Sequence, residues 1–359
     1  MDMTLRWYGK DMDSVSLSEI RQIPGVTGVI SSLHKVPCGV AWTYEQVKEL
    51  KDEVEAAGLK LIGIESINVH EDIKLGADTR DYYIENYCKS LEACGKNDIH
   101  LVCYNFMPIF DWTRTDLAMP LPDGSTALAY DSSLIDGIDP NTMFERMENA
   151  SGGFVLPGWE PERLAQLEKT LKQYEGMTPD MLRVNFKYFL DGIMPTCEKY
   201  KIKMAVHPDD PAWSVFGLPR IVTSEKALET IASLNPSIYN GFTLCTGSLG
   251  SNRENNLPQI IRNPKIAPRI HFAHLRNIKF ETPEMFHESS HLSSDGSFDM
   301  YEIVKALSDI GFDGVTRPDH GRMIWGEKAR PGYGLYDRAL GVAYLNGLWE
   351  AINKAKEDK

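Results

Sequence analysis

Four strand ends in the C-terminal half of the chain each carry a side chain able to ligate a metal ion. They read Met204-Ala205-Val206-His207-Pro208-Asp209-Asp210, Leu244-Cys245-Thr246-Gly247, Phe272-Ala273-His274-Leu275-Arg276-Asn277 and Thr316-Arg317-Pro318-Asp319-His320-Gly321. A single histidine in a strand is more often a hydrogen-bonded core or surface residue than a ligand. Four consecutive strands offering His207, Cys245, His274 and Asp319 carry more weight: two imidazoles, a thiolate and a carboxylate close a site for a divalent first-row ion. The thiolate disfavours Mg²⁺ and Ca²⁺ and leaves Mn²⁺, Fe²⁺, Co²⁺ and Zn²⁺. His271 shares a strand with His274, but side chains three apart point to opposite faces, so His274, nearer the strand's C-terminal end, is the expected ligand.

Beside the last ligand stands His320, which the donor set does not need. The tight Pro318-Asp319-His320-Gly321 turn would hold it near the ion, where an imidazole suits proton transfer. Tyr333, in Arg330-Pro331-Gly332-Tyr333-Gly334, sits between two glycines ahead of the last helix and belongs at the same mouth, with Tyr336 its neighbouring alternative. Arg6, Asn68, Asn105 and Arg276, at or just past other strand ends, could hold a substrate carboxylate and hydroxyls. Dinucleotide, phosphate-loop and nucleophile-elbow motifs are all missing, which argues against nucleotide cofactors. Thr246-Gly247-Ser248-Leu249-Gly250 is glycine-rich and reads as a turn shaping the surroundings of Cys245.

What must position these residues is a β/α repeat. Glu55–Ile64 and Ser308–Thr316 share one grammar, a helical pattern that stops at Gly and passes into a short apolar strand. Strands are expected at Leu5–Tyr8, Val26–Ser31, Leu59–Ile64, Ile99–Tyr104, Lys203–His207, Phe242–Thr246, Ile270–Leu275 and Gly314–Arg317. Helices fall between them at Tyr44–Ala57, capped by Thr43 and Gln46, and at Arg80–Ala93, Pro161–Tyr174, Pro179–Tyr200, Glu225–Leu234, Met300–Ile310 and Leu335–Lys356. Eight strands alternating with helices predict an α/β fold, a (β/α)8 TIM barrel whose active site lies at the strands' C-terminal ends. The connection from Asn105 to about Glu160 is far too long for a βα loop and rich in aromatics, so a lid over the mouth or a dimer arm is expected there.

The chain has 359 residues, 42% of them hydrophobic and 25% charged, and reads as a single globular barrel domain over residues 1–359 with the 105–160 insertion inside it. Its formal charge of −13 argues against nucleic acid and anionic membranes. No apolar run approaches the length of a membrane span and the N-terminus lacks a leader pattern, so a cytoplasmic protein is expected. Six cysteines without a paired spacing are expected reduced.

At these residues the sequence resembles the mannonate dehydratase family, metal-dependent sugar-acid lyases of the xylose-isomerase-like barrel superfamily. The likeness runs over almost the whole chain, through Thr4-Leu5-Arg6-Trp7-Tyr8-Gly9, Gly63-Ile64-Glu65-Ser66, Val102-Cys103-Tyr104-Asn105-Phe106-Met107-Pro108, Ala205-Val206-His207-Pro208-Asp209-Asp210-Pro211 and Arg317-Pro318-Asp319-His320-Gly321. The resemblance implies that His207, Cys245, His274 and Asp319 ligate Mn²⁺ or Fe²⁺, that His320 and Tyr333 are the catalytic pair, and that the assembly is a homodimer. The implied reaction turns D-mannonate into 2-keto-3-deoxy-D-gluconate and water, by C2 proton abstraction and loss of the C3 hydroxyl, in hexuronate catabolism. Tyr333 as base and His320 as acid is one assignment, the reverse the other. The runner-up is a metal-dependent aldose–ketose isomerase on the same barrel; such enzymes ring the ion with carboxylates, a poor fit to a Cys and one Asp. Nucleases of the superfamily need a cationic surface, and a non-catalytic sugar-acid binder would not need His320 and Tyr333.

Overall fold

Gly58 and Gly311 adopt φ of +77° and +68°, the left-handed conformation that stops a helix and turns the chain into a strand. The computed structural model describes residues 1–135 and 167–357, of residues 168 and 357 the backbone alone. Its strands are β1 (Asp2–Arg6), β2 (Val26–Ser31), β3 (Lys60–Glu65), β4 (Leu101–Tyr104), β5 (Asp116–Pro120), β6 (Thr126–Asp131), β7 (Lys203–Val206), β8 (Asn240–Cys245), β9 (Ile270–Leu275), β10 (Ile278–Thr282), β11 (Met285–Glu288) and β12 (Val315–Pro318). β1–β4, β7–β9 and β12 close an all-parallel barrel in the order β1-β12-β9-β8-β7-β4-β3-β2, the eight strands expected from the sequence, except that the first runs over Asp2–Arg6 and not Leu5–Tyr8.

The helices are α1 (Leu17–Arg21), α2 (Tyr44–Ala56), α3 (Glu71–Leu75), α4 (Arg80–Lys96), α5 (Leu167–Gln173), α6 (Pro179–Tyr200), α7 (Glu225–Leu234), α8 (Thr246–Ser251), α9 (Leu257–Arg262), α10 (Met300–Asp309) and α11 (Tyr336–Glu357). Thr43 and Gln46 form the reciprocal capping box of α2, and Pro179 opens α6 where no amide hydrogen is needed. Of the helix expected at Pro161–Tyr174, residues 161–166 lie outside the described residues.

Every residue of β8 and β9 is buried, as a parallel strand covered on both faces must be. Ile30, Leu101, Cys103, Ala205 and Phe272 fill the barrel, while Leu5, Ile64, Val206, Leu244, Ala273 and Leu275 face the helices. Phe272 inside and Ala273 outside fix the alternation along β9: His274 points into the barrel and His271 out of it, as expected.

Two readings need correction. Thr246–Ser251 is the short helix α8 and not a turn: its glycines, which hide the helical pattern, lie where the Arg276 guanidinium and the Phe298 ring pack against the backbone. A second, four-stranded antiparallel sheet in the order β10-β11-β6-β5 was not foreseen. It joins part of the 105–160 insertion to the hairpin after β9, segments about 150 positions apart that only their pairing brings into one sheet. Ile109, Phe110, Trp112, Leu128, Tyr130, Val215, Leu218, Ile278 and Phe286 form its core.

Candidate metal centre and active site

Register brings the donors together. Cys245 pairs with His274 across β8 and β9, and His274 with Arg317 across β9 and β12. Paired residues of parallel neighbours point the same way about 4.8 Å apart, so these three stand side by side on the barrel's inner face. His207 follows β7 and Asp319 follows β12, one step beyond the strand ends. One ligand atom from each of His207, Cys245, His274 and Asp319 can be chosen so that all four lie within 4.8 Å of one another.

The donors fit an ion. His274 is fully buried, yet neither ring nitrogen makes a hydrogen bond; Glu65 Oε2 lies 3.4 Å from Nε2 and Asp319 Oδ2 3.8 Å from Nδ1. Nδ1 of His207 lies 2.7 Å from the Pro208 carbonyl, which accepts its proton and turns Nε2 to the cluster; against burial, the Cys245 thiolate raises this histidine to about 9, and an ion would take the place of the Nε2 proton. Burial opposes ionisation of Cys245, but the Arg276 guanidinium and then the His207 and His274 imidazoles bring it down to about 5, and the Ser248 hydroxyl, on α8, donates to its sulfur at 3.0 Å. Burial alone does the opposite to Cys94, pushed up to about 12. Burial likewise disfavours the Asp319 carboxylate, and Arg317, whose Nη2 lies 2.8 Å from Oδ1, outweighs it and holds the carboxyl well below its usual range. A thiolate, a carboxylate and imidazole nitrogens free of hydrogens are what a first-row divalent ion requires.

Next to this cluster, His320 adopts a positive φ of 53°, which swings its ring over the barrel mouth. Its Nε2 lies 3.0 Å from the Tyr333 hydroxyl and its Nδ1 3.0 Å from Glu288 Oε1. Burial, with Tyr8 and Asp319 adding to it, keeps the Tyr333 phenol well above its ordinary pKa, hence protonated. Tyr336 is partly exposed beside Trp325 and stays away from the site.

A cavity of about 480 Å³ opens on both groups, large enough for a six-carbon acid. His207, Asp319, His320 and Tyr333 line it, with Arg6, Asn105 and Arg276 from the sequence-derived set. Asn68 does not; it lines a neighbouring cavity of about 660 Å³ that shares Arg6, Tyr8 and Ser66 with the first, and it accepts from the Ser66 hydroxyl at 2.8 Å. Arg276 is held by carboxylates, Asp210 at 2.9 Å and Glu288 at 3.2 Å. Arg6 pairs with Glu65 at 2.9 Å while its Nε makes no hydrogen bond.

Sequence reasoning missed Glu65, Arg317, Asp210, Trp112, Arg114 and Glu288. The first three end or follow barrel strands, so strand position was a usable signal. For Glu288 the one hint was the polar run His287-Glu288-Ser289-Ser290-His291, and for Arg114 there was none.

A closed parallel barrel with a mixed nitrogen, sulfur and oxygen donor cluster at its C-terminal rim, and a histidine–tyrosine pair beside it, has the arrangement of a TIM-barrel enzyme. The fold agrees: a xylose isomerase domain protein from Planctomyces limnophilus superimposes with a TM-score of 0.54 over 98% of both chains, at 12% identity a likeness of fold alone. The family model for D-mannonate dehydratase (UxuA) matches residues 1–359, and the chain belongs to that family. A mannonate dehydratase of Brachyspira hyodysenteriae is 61% identical over 355 residues, 99% of each chain, and one of Thermotoga neapolitana 54% over 357 residues, again 99% of each. The crystal structure of mannonate dehydratase from Streptococcus suis serotype 2 superimposes with a TM-score of 0.89 at 45% identity, covering 99% of this chain and 96% of that one.

Proposed function

We infer that this chain is a hydro-lyase that removes water from D-mannonate to give 2-keto-3-deoxy-D-gluconate, the reaction of its family. The observation that carries the residue-level reading is the meeting, in one cavity, of the four-donor cluster with the His320–Tyr333 hydrogen bond. His207, Cys245, His274 and Asp319 are the ligands we propose. The ion, when bound, would draw charge from the substrate carboxylate and a neighbouring hydroxyl and so acidify the C2–H bond.

The protein's own groups move the protons. Tyr333, a neutral phenol at rest, takes the C2 proton as it passes its own hydroxyl proton to Nε2 of His320. The resulting imidazolium gives that proton to the C3 hydroxyl, which leaves as water while the C2–H electron pair forms a C2=C3 bond; the enol tautomerises to the 2-keto acid, and both side chains return to their starting states. The phenol never exists as a free phenolate, so its raised pKa is no obstacle. The reverse assignment, with His320 taking the C2 proton first, uses the same bond. Arg6 and Asn105 are our candidates for holding the carboxylate and hydroxyls, with Arg276 electrostatic support from behind and Asn68 reaching the tail of a substrate that extends into the neighbouring cavity.

Mn²⁺ or Fe²⁺ is the ion we propose on the family resemblance, the thiolate donor disfavouring only Mg²⁺ and Ca²⁺; a homodimer rests on that resemblance alone. A cytoplasmic location is supported by the six free cysteines, and no described helix is long and apolar enough to cross a membrane. We read the described part of the insertion, residues 105–135, as a lid within one barrel domain, residues 136–160 lying outside the described residues: Asp111 and Trp112 line the cavity, and the Trp112 ring lies 6.1 Å from that of His320. Incubation with D-mannonate and Mn²⁺, with and without EDTA, tests the function. A 2-keto-3-deoxy acid formed with metal supports it, and no product with metal present sinks it.

A further inference from the structure

Resting on the proton-transfer reading above, the geometry points to Glu288, at the end of β11 in the second sheet, as the positioning residue that sets the tautomer of His320. His320 needs a free Nε2 to receive the Tyr333 proton, and an imidazole by itself divides its proton between the two nitrogens. An ionised carboxylate can only accept hydrogen bonds. With Glu288 Oε1 3.0 Å from Nδ1, the ring proton must sit on Nδ1 and the Nε2 lone pair must face the tyrosine 3.0 Å away.

Glu288 is itself fixed. Its side chain is 1% exposed, and two buried guanidiniums flank it, Arg114 with Nη2 at 3.0 Å and Arg276 with Nε at 3.2 Å. Both also grip Asp210, Arg114 through Nη1 at 2.8 Å and Arg276 through Nη1 at 2.9 Å. Burial resists ionisation of Glu288, but Arg276, His320 and Arg114 together bring it down to about 2, so it stays a carboxylate wherever the enzyme works. Arg276 Nη1 also approaches His320 Nδ1, at 3.5 Å, and could donate to it only if Nδ1 were bare; that would set the nearer Glu288 carboxylate, at 3.0 Å, against a lone pair, so the carboxylate decides.

Neither Glu288 nor Arg114 comes from a barrel strand. Arg114 lies in the insertion between β4 and β5, 174 positions from Glu288, and the pairing of β6 with β11 brings them together. The second sheet is then part of the proton-transfer apparatus as well as a cover for it.

The test compares Glu288→Gln and Glu288→Asp with the parent in metal content, kcat and KM for D-mannonate, and imidazole ¹⁵N shifts of His320 in Zn²⁺-loaded protein, assigned by subtraction of His320→Asn. Glu288→Gln should keep its metal, hold KM within about threefold and lose about 10²–10⁴-fold in kcat, the range for a misdirected general acid–base. The His320 signals should change from one Nδ1-protonated form to a mixture. Glu288→Asp, which keeps the charge, should recover part of the rate. A kcat within about threefold of the parent in Glu288→Gln, or ¹⁵N shifts unchanged by it, overturns the proposal. Because the tautomer is read without substrate, a parent enzyme inactive on D-mannonate would overturn the functional reading and leave the assignment of Glu288 to be decided by the shifts.

Discussion

The Tyr333 hydroxyl and Nε2 of His320 lie 3.0 Å apart, although they reach that position by different routes. His320 is delivered by a left-handed residue just past β12, Tyr333 by the glycine-flanked loop that runs into α11. Substituting either should stop proton transfer while sparing the proposed metal ligands. We expect His320→Ala and Tyr333→Phe each to lower kcat by about 10²–10⁴-fold, with metal content at the parent level. Steady-state kinetics with elemental analysis checks this, and near-normal turnover in either variant removes that residue from the mechanism.

Cys245 is the one soft donor of the cluster. Cys245→Ser should lose most of its bound metal and its activity together, and EDTA should abolish turnover in the parent until Mn²⁺ or Fe²⁺ is restored. Binding to the folded state alone adds about 2.7 kcal/mol at a free ion concentration 100 times Kd, so removal of the ion should also lower the melting temperature. Full activity in chelator would refute the metal's role.

Gly247 has no room for a side chain: a Cβ there would run into the guanidinium of Arg276, which two buried carboxylates hold in place. Gly247→Ala should cost about 1–3 kcal/mol of stability by overpacking and lower kcat as well, because Arg276 supports both Cys245 and Glu288. Denaturant titration and kinetics read the two effects, and an unchanged enzyme would mean that the guanidinium shifts at no cost.

His271, on the outer face of β9, sets an acid limit on stability. Burial pushes it down to about 4, against the Met204 carbonyl 2.8 Å from Nδ1, which favours the protonated ring. An unfolded histidine titrates near 6.5, so between these values the unfolded chain binds the extra proton and stability present above pH 6.5 drains as pH falls toward 4. The loss reaches about 3 kcal/mol for this group. Denaturant midpoints at several pH values should fall less steeply on acidification in His271→Gln than in the parent; parallel curves would show that His271 is not the source.

Salt should matter little to substrate capture. A chain at −13 repels an anionic sugar acid at long range, so attraction must come from within the cavity, where screening is weak. We expect kcat/KM to change less than about threefold between low and physiological ionic strength, and a steep fall would point to long-range steering.

Much of this was legible in the chain. Each barrel strand announced itself through local hydrophobicity, and glycines such as Gly58 and Gly311 marked where helices yield to strands. The four donors stood at strand ends, where a β/α barrel keeps its chemistry, so the sequence by itself determined the barrel, the donor types and the candidates His320 and Tyr333. Tertiary structure decided the rest. Only strand register could put Cys245 level with His274 and Arg317, and only packing could separate buried Tyr333 from exposed Tyr336. Glu288 and Arg114 meet because β6 and β11 pair antiparallel across more than 150 positions of chain. Such pairing depends on surfaces that exist only once the barrel has closed.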